Sequence, residues 1–317
     1  MEFKKYPEIE NSYRIKYIEI LKEHDFGDVA YIASEKIHGA NFSFWTDGTE
    51  VKVASRTQFV DGTFYKCQEV IDRYEDNVKK LKNDEYPDAE SIAVYGELFG
   101  PGIQSGVYYG SKKDFMAFEI RIDEHQIEKP IRAKLLLARY RISQVPYVGI
   151  YESLDEALKE SNEFNSKVCE MLEDDDVCKF EEGENTCEGI VIQPADEALW
   201  TGNGARVMIK NKNEKFAEKT KRKKGDRTES APNPFIPIAE MYVNENRMNA
   251  VTSKFGEVTQ KDFGKIIGLM NKDVIKDMIN DGDLPVNWKK HEVYKPAGKG
   301  VAQVVSAFLK ENLLEEL

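Results

Sequence analysis

The chain has 317 residues, of which 41% are hydrophobic and 32% charged, with a net charge of −12 at pH 7. That length suggests two domains, and that composition excludes an intrinsically disordered chain. No apolar run approaches the roughly 18 residues of a membrane-spanning helix, and the opening MEFKKYPEIENSY lacks the apolar core of a secretion signal. The expectation is a globular protein of the cytoplasm (a host cytoplasm if the source is a virus) with no membrane partner.

Taken in chain order, seven segments carry strand character: VAYIAS (29–34), NFSFWT (41–46), VKVASR (51–56), SIAVYGEL (91–98), FMAFEIRI (115–122), GIVIQP (189–194) and ARVMIK (205–210). Each is rich in β-branched or aromatic residues, and most are bounded by Gly, Asp or Asn. The second and third read as a hairpin turning at Asp47-Gly48. Helical spacing falls between the strands, around Cys67–Leu81 and over Leu154–Leu172. The stretch 219–237 has clustered charge and three prolines without an apolar period, which reads as a linker. Beyond it the pattern is helical. Phe263, Ile266, Ile267, Met270, Val274 and Met278 share one face, as do Val301, Val304, Val305, Phe308 and Leu309. The reading is α+β with a domain boundary near 232: an antiparallel-sheet domain over 1–232 and a small all-α domain over 233–317.

Charge is uneven along the chain. Residues 152–188 hold 14 acidic and 3 basic residues, whereas 206–227 hold 10 basic and 3 acidic. Local field rather than net charge decides where a phosphate backbone docks. Cys67, Cys169, Cys178 and Cys187 form no C-x-x-C pair, so reduced thiols are expected rather than a zinc site or a disulfide framework.

The chemistry gathers at Glu35-Lys36-Ile37-His38-Gly39-Ala40-Asn41. A lysine ending a strand runs into a glycine, which lets the chain approach a phosphate closely. Further residues of matching chemistry follow in order. Arg56 closes a hairpin strand, Glu97 precedes the glycine-rich turn of GELFGPG, Phe118 lies in FMAFEI, and Glu188 opens EGIVIQP. Lys210 and Lys212 alternate in VMIKNKN, so both point to one face of a strand. Two ammonium groups on one face suit a triphosphate. Singly, each has a plainer reading, such as core packing for Phe118 or an edge guard for the lysines. Asp262-Phe263-Gly264 lacks the other kinase motifs and reads as the start of a helix.

The ordered set resembles the motifs of the covalent nucleotidyltransferases and, within them, the phage-type RNA ligase 2 family. KIHG matches that family's first motif; DNA ligases and capping enzymes carry K-x-D-G. FKKYPEIENSY, GELFGPGIQ, CEGIVIQP, VMIKNKN and YVNENRMNAVTSKFGEVTQKDFGKIIGL extend the resemblance over most of the chain. The resemblance implies that Lys36 attacks the α-phosphate of ATP and carries AMP as a phosphoramidate. It implies that Glu35, Ile37, Asn41, Arg56 and Glu97 hold the adenosine and that Phe118 stacks on adenine. Lys210 and Lys212 would contact phosphate, Glu188 would stand near a catalytic Mg2+ (or Mn2+), and His38 would serve the steps after adenylation. Phe64 and Tyr65 match an aromatic pair at the 3'-OH strand, and Arg247 falls in the segment expected to meet RNA. Ala40 departs from the pattern, since some members have threonine there. The implied enzyme is a monomer that seals RNA with 3'-OH and 5'-phosphate ends, preferentially nicks in duplex or templated RNA. Alternatives are a DNA ligase or a capping-type enzyme, against which KIHG and the helical tail argue, and an inactive RNA-binding module.

Overall fold

A computed structural model describes residues 1–123, 126–172, 180–220, 233–290 and 293–313. The expected boundary at 232, residues 221–227 of the basic stretch before it and the most acidic part of the central segment (173–179) lie outside the described residues. The chain divides into two compact units, Met1–Lys215 and Phe216–Leu317. Among the described residues, no helix is long and apolar enough to cross a membrane.

The first unit runs β1 (Glu10–Asn11), α1 (Ile15–Glu23), β2 (Tyr31–Glu35), β3 (Ala40–Thr46), β4 (Val51–Ser55), β5 (Phe59–Val60), α2 (Gln68–Glu85), β6 (Ile92–Phe99), β7 (Asp114–Ile122), β8 (Gln126–Ile127), α3 (Pro130–Arg139), β9 (Tyr147–Tyr151), α4 (Leu154–Ala157), α5 (Val168–Met171), β10 (Gly189–Pro194) and β11 (Ile209–Lys212). Two sheets result, one ordered β1-β11-β10-β2-β9 and the other β5-β4-β3-β6-β7-β8. Pairing between the strands is antiparallel except for the two-residue parallel match of β1 with β11. The hairpin at Asp47-Gly48 forms as its sequence dictates. Gly48 takes φ +98°, a left-handed backbone that glycine adopts without strain, and Asp47 accepts the amides of Thr49 and Glu50.

Packing follows the apolar periods. On α2, Val70, Ile71, Tyr74, Val78 and Leu81 recur at helical spacing and are buried with Phe42, Phe44 and Phe115 of the second sheet. Ile18 and Leu21 of α1 are buried with Tyr31, Ile190 and Ile209 of the first sheet. A third cluster joins the two sheets: Met208 packs with Tyr6, Trp45, Ala93 and Tyr95.

Two expected elements change. The helix over Leu154–Leu172 is two single turns, α4 and α5. Between them the backbone pairs elsewhere: Ser166 N–H donates to Asn185 C=O at 2.9 Å, and Phe164 C=O accepts Cys187 N–H at 2.9 Å. Those groups are then not available to close helical turns. The strand expected at 205–210 runs over Ile209–Lys212, because Arg206 bridges Trp200 across a turn at 201–205. The aromatic pair expected at an RNA strand is also placed inside. Phe64 and Tyr65 are each 7% exposed, and Phe64 stacks on Phe42 at 6.2 Å. Their large apolar area is covered by the core that α2 closes.

The second unit contains α6 (Ile236–Glu240), α7 (Glu245–Thr252), α8 (Phe263–Asn280) and α9 (Tyr294–Asn312). Ile266, Met270, Val274 and Met278 of α8 and Val301, Val305 and Leu309 of α9 form its core, flanked by partly buried Phe263, Ile267, Val304 and Phe308. Asp262 and Thr259 make a capping box immediately before α8, so Asp262-Phe263-Gly264 does begin a helix. Arg247, expected at RNA, has no exposed surface. Its guanidinium donates to the carbonyls of Tyr242 and Glu218 and to the carboxylates of Asp273 and Asp277. It is a buried tie between α7, α8 and the backbone at Glu218 and Tyr242. Arg247→Met is expected to destabilise this unit by about 3–5 kcal/mol, since two carboxylates lose their counter-charge. Chemical unfolding that shifts by less than about 1 kcal/mol would show the tie to be dispensable.

Candidate active site

The segment Lys36–Gly39 is where the chain leaves β2 in one sheet and enters β3 in the other. A side chain on this crossing can meet residues from both sheets. From the first sheet comes a charged cluster. Lys36 Nζ donates to Glu188 Oε2 at 2.7 Å, His38 Nδ1 lies 3.3 Å from the same oxygen, and Lys212 Nζ lies 3.0 Å from Oε1. Glu188 is 3% exposed. Burial opposes its charge, but Lys36, Lys212 and then His38 outweigh that and hold the carboxyl well below the usual carboxylate range.

Two glycines let these strands approach. A Cβ on Gly39 would lie 2.2 Å from the Leu98 carbonyl oxygen, and one on Gly189 would lie 2.2 Å from that of Asn211. Gly189 also has φ +144°, which side chains rarely adopt. Its carbonyl takes the Lys36 N–H at 2.8 Å, so the Lys36 backbone is anchored one residue beyond Glu188.

The second sheet supplies the other wall. Asn41 pairs with Glu97 across β3 and β6. Burial raises the Glu97 carboxyl to about 7, against the pull of Lys36 and Arg56, while Glu188 pushes the same way as burial. The four groups therefore share one electrostatic environment. Arg56 also donates to the Pro7 carbonyl at 3.4 Å. Phe118 is partly buried, meets Tyr6 edge-on at 5.2 Å and shares its inter-sheet cluster with Val191 of the first sheet. Lys210 stands opposite Val191 and Lys212 opposite Gly189, as the alternation of a strand requires. Ile37 is buried among Phe99, Tyr109, Met116, Val145 and Val168.

Glu35 is differently placed. Its carboxylate accepts Ser166 Oγ–H at 2.6 Å and Lys167 N–H at 2.9 Å, so it ties down the segment before α5. Burial raises this carboxyl to about 7, with Ser166 and Lys167 opposing. A carboxyl whose folded value exceeds its unfolded 4.5 adds stability below pH 4.5, and that contribution is lost as pH rises through 7. The loss amounts to roughly 3 kcal/mol. Urea unfolding at about pH 5 and pH 8 is expected to show wild type losing stability relative to Glu35→Gln as pH rises. A pH-independent difference would refute this.

Tyr109, Ser166 and Asn185 also belong to this region. They lie in a glycine-rich turn and in the acidic stretch, where no motif marks them. The nearness of Asn185 to Glu188 in NTCEG was the one available signal.

Among the described residues, no group of three or more His, Cys, Asp or Glu could hold a metal ion unaided. Mg2+ is commonly bound by one or two carboxylates with substrate phosphates and water. Glu188, held ionised, with Glu97 beside it, fits an ion carried largely by phosphate oxygens. The whole arrangement is one amine at the crossing of two sheets, a carboxylate that holds it, further cations and an aromatic face. It suits covalent chemistry on an anionic nucleotide.

The RNA ligase family model matches residues 29–212, and that of the T4 RNA ligase 2 C-terminal region matches residues 229–312. Similar solved structures include Naegleria gruberi RNA ligase as an apo mutant, with 17% identity and TM-score 0.49 over 67% of this chain and 56% of that chain. A mutant with ATP and Mn has 16% identity and TM-score 0.49 over 68% and 56%, and the form with PPi has 16% and 0.49 over 68% and 57%. The chain spans little more than half the length of these proteins.

Proposed function

The chain belongs to the RNA ligase family, and from that premise we propose that it seals RNA breaks with ATP through a covalent adenylate on Lys36. The observation that carries this reading is the Lys36–Glu188–Lys212–His38 cluster at the crossing of the two sheets. The Lys36 amine attacks the α-phosphorus, the bond to the β-phosphate breaks and pyrophosphate leaves. The phosphoramidate keeps AMP activated on the protein, which splits one difficult condensation into easier displacements. A 5'-phosphate oxygen then attacks the same phosphorus, the N–P bond breaks and Lys36 is restored. A 3'-OH attacks the adenylated 5' end, forms the phosphodiester and expels AMP.

Glu188 orients the Lys36 amine, and Lys212 and Lys210 meet phosphate oxygens. Phe118 and Val191 are the apolar faces for adenine, and Asn41, Arg56 and Glu97 surround the ribose. A bound Mg2+ or Mn2+ would neutralise charge on the phosphates. The preferred substrate is a 3'-OH/5'-phosphate nick in duplex or templated RNA, sealed by a monomer. Domain 1–232 carries the nucleotide chemistry and domain 233–317 engages the RNA end.

The test is incubation with Mg2+ and α-phosphate-labelled ATP followed by denaturing electrophoresis. A labelled protein band, chased by pyrophosphate or by nicked duplex RNA, is expected. Labelling by GTP instead would favour a capping-type enzyme. RNA binding without any label, in protein freed of bound AMP, would favour an inactive binding module.

A further inference from the structure

From Asn185, two paths of hydrogen bonds lead to Glu35 and His38, on either side of Lys36. Its side-chain carboxamide pairs with one residue of the glycine-rich turn in both directions. Oδ1 accepts Tyr108 N–H at 2.7 Å, and Nδ2 donates to Tyr108 C=O at 2.8 Å. The next residue, Tyr109, is buried, and its hydroxyl accepts His38 N–H at 2.8 Å. In the other direction, Asn185 C=O accepts Ser166 N–H at 2.9 Å, and Ser166 Oγ donates to Glu35 at 2.6 Å. One chain ends on the residue before Lys36 and the other two residues after it.

The same segment sets Glu188. Asn165 bridges Thr186, and Cys187 N–H donates to Phe164 C=O at 2.9 Å, so 185–187 are held in register before Glu188 is reached. His38 Nδ1 closes the circuit 3.3 Å from Glu188. Asn185 is 3% exposed, so water cannot replace its bonds when they are lost.

We infer that Asn185 is a positioning residue: it clasps the Tyr108–Tyr109 turn and the Ser166 brace together and thereby fixes the backbone on both sides of Lys36. Only a carboxamide of this reach serves. Aspartate has no donor for Tyr108 C=O, and alanine removes both side-chain partners of Tyr108, leaving its C=O the weaker Cys169 thiol at 3.5 Å. The kinetic consequence rests on the adenylation of Lys36 proposed above; the structural consequence does not.

Two readouts on the full chain test the clasp, each in Asn185→Ala and the isosteric Asn185→Asp. The first is hydrogen exchange. The His38 amide is expected to exchange about tenfold or more faster than in wild type, while amides inside β3 and β6 keep their protection. The second is label uptake from ATP. The rate at saturating ATP is expected to fall about 10- to 100-fold, with KM for ATP changing less than about threefold, because position and not nucleotide contact is lost. Combining Asn185→Ala with Tyr109→Phe is expected to be no slower than the slower single variant, since both act on one route. Unchanged His38 exchange would overturn the clasp. So would a wild-type rate in both variants, or a raised KM at unchanged maximal rate. A wild type that takes no label would defeat the ligase reading instead, and exchange at His38 would still decide the clasp.

Discussion

Lys36→Ala is expected to take no label from ATP, a loss on the order of 10⁴-fold or more in the rate of covalent adenylation. In the proposed mechanism this side chain is the amine that holds AMP, and the neighbouring amines are placed differently. Lys212 points at the opposite oxygen of Glu188, 3.0 Å away, and Lys210 lies two residues back on β11. Lys36→Arg is expected to fail equally, because a guanidinium keeps the charge but is not a nucleophile at any accessible pH. Folding should survive, since Glu188 retains Lys212 and His38 as partners when Lys36 is gone. The step that follows offers a second check. RNA bearing a preformed 5'-5' adenylate should be sealed by Lys36→Ala, because the lysine's covalent task is already done. Label on Lys36→Ala would remove the mechanism altogether, whereas failure on preadenylated RNA would mean that Lys36 also serves the final displacement.

Glu188→Gln is the second large effect, and it acts on stability and activity together. The wild-type carboxylate is met by Lys36 at 2.7 Å, Lys212 at 3.0 Å and His38 at 3.3 Å. The amide keeps the shape but leaves two ammonium groups facing each other in a largely enclosed site. A cost of about 3–5 kcal/mol at neutral pH is expected from breaking such a cluster. The sign with pH is set by the lowered carboxyl value. Glu188 contributes stability above its unfolded 4.5, and the contribution is lost as pH falls through the lowered value. The gap between wild type and Glu188→Gln should therefore narrow on acidification below pH 4.5. Adenylation should fall about 100-fold, because Lys36 loses the acceptor that aims it. Full activity with a pH-independent stability gap would show that Glu188 neither aims the lysine nor carries charge in the folded protein.

The two effects are distinguishable because they reach Lys36 differently. Removing the amine leaves the carboxylate satisfied, whereas removing the carboxylate leaves the amine in place but uncompensated. A ligase whose rate drops in both variants, but whose stability drops only in the second, has the arrangement described for this cluster.

Much of this protein is legible in its sequence, where periodicity and local turn chemistry act over a few residues. The hairpin at Asp47-Gly48, the apolar stripe of α2 and the helices α8 and α9 lie where their spacing puts them. KIHG, EGIVIQP and VMIKNKN mark the Lys36, Glu188 and Lys212 that the fold assembles, because a strand end and a glycine are local features. Tertiary structure decided the rest. The apolar spacing over 154–172 suits a helix, yet pairing of 164–166 with 185–187 claims its backbone and leaves only α4 and α5. Phe64, Tyr65 and Arg247 carry residue types suited to RNA, but burial turns the first two into core and the last into an internal tie. Asn185, 149 residues from Lys36 in sequence, is invisible to any local pattern, because its part comes from hydrogen bonds that exist only once the glycine-rich turn and the strand leading to Glu188 are folded side by side.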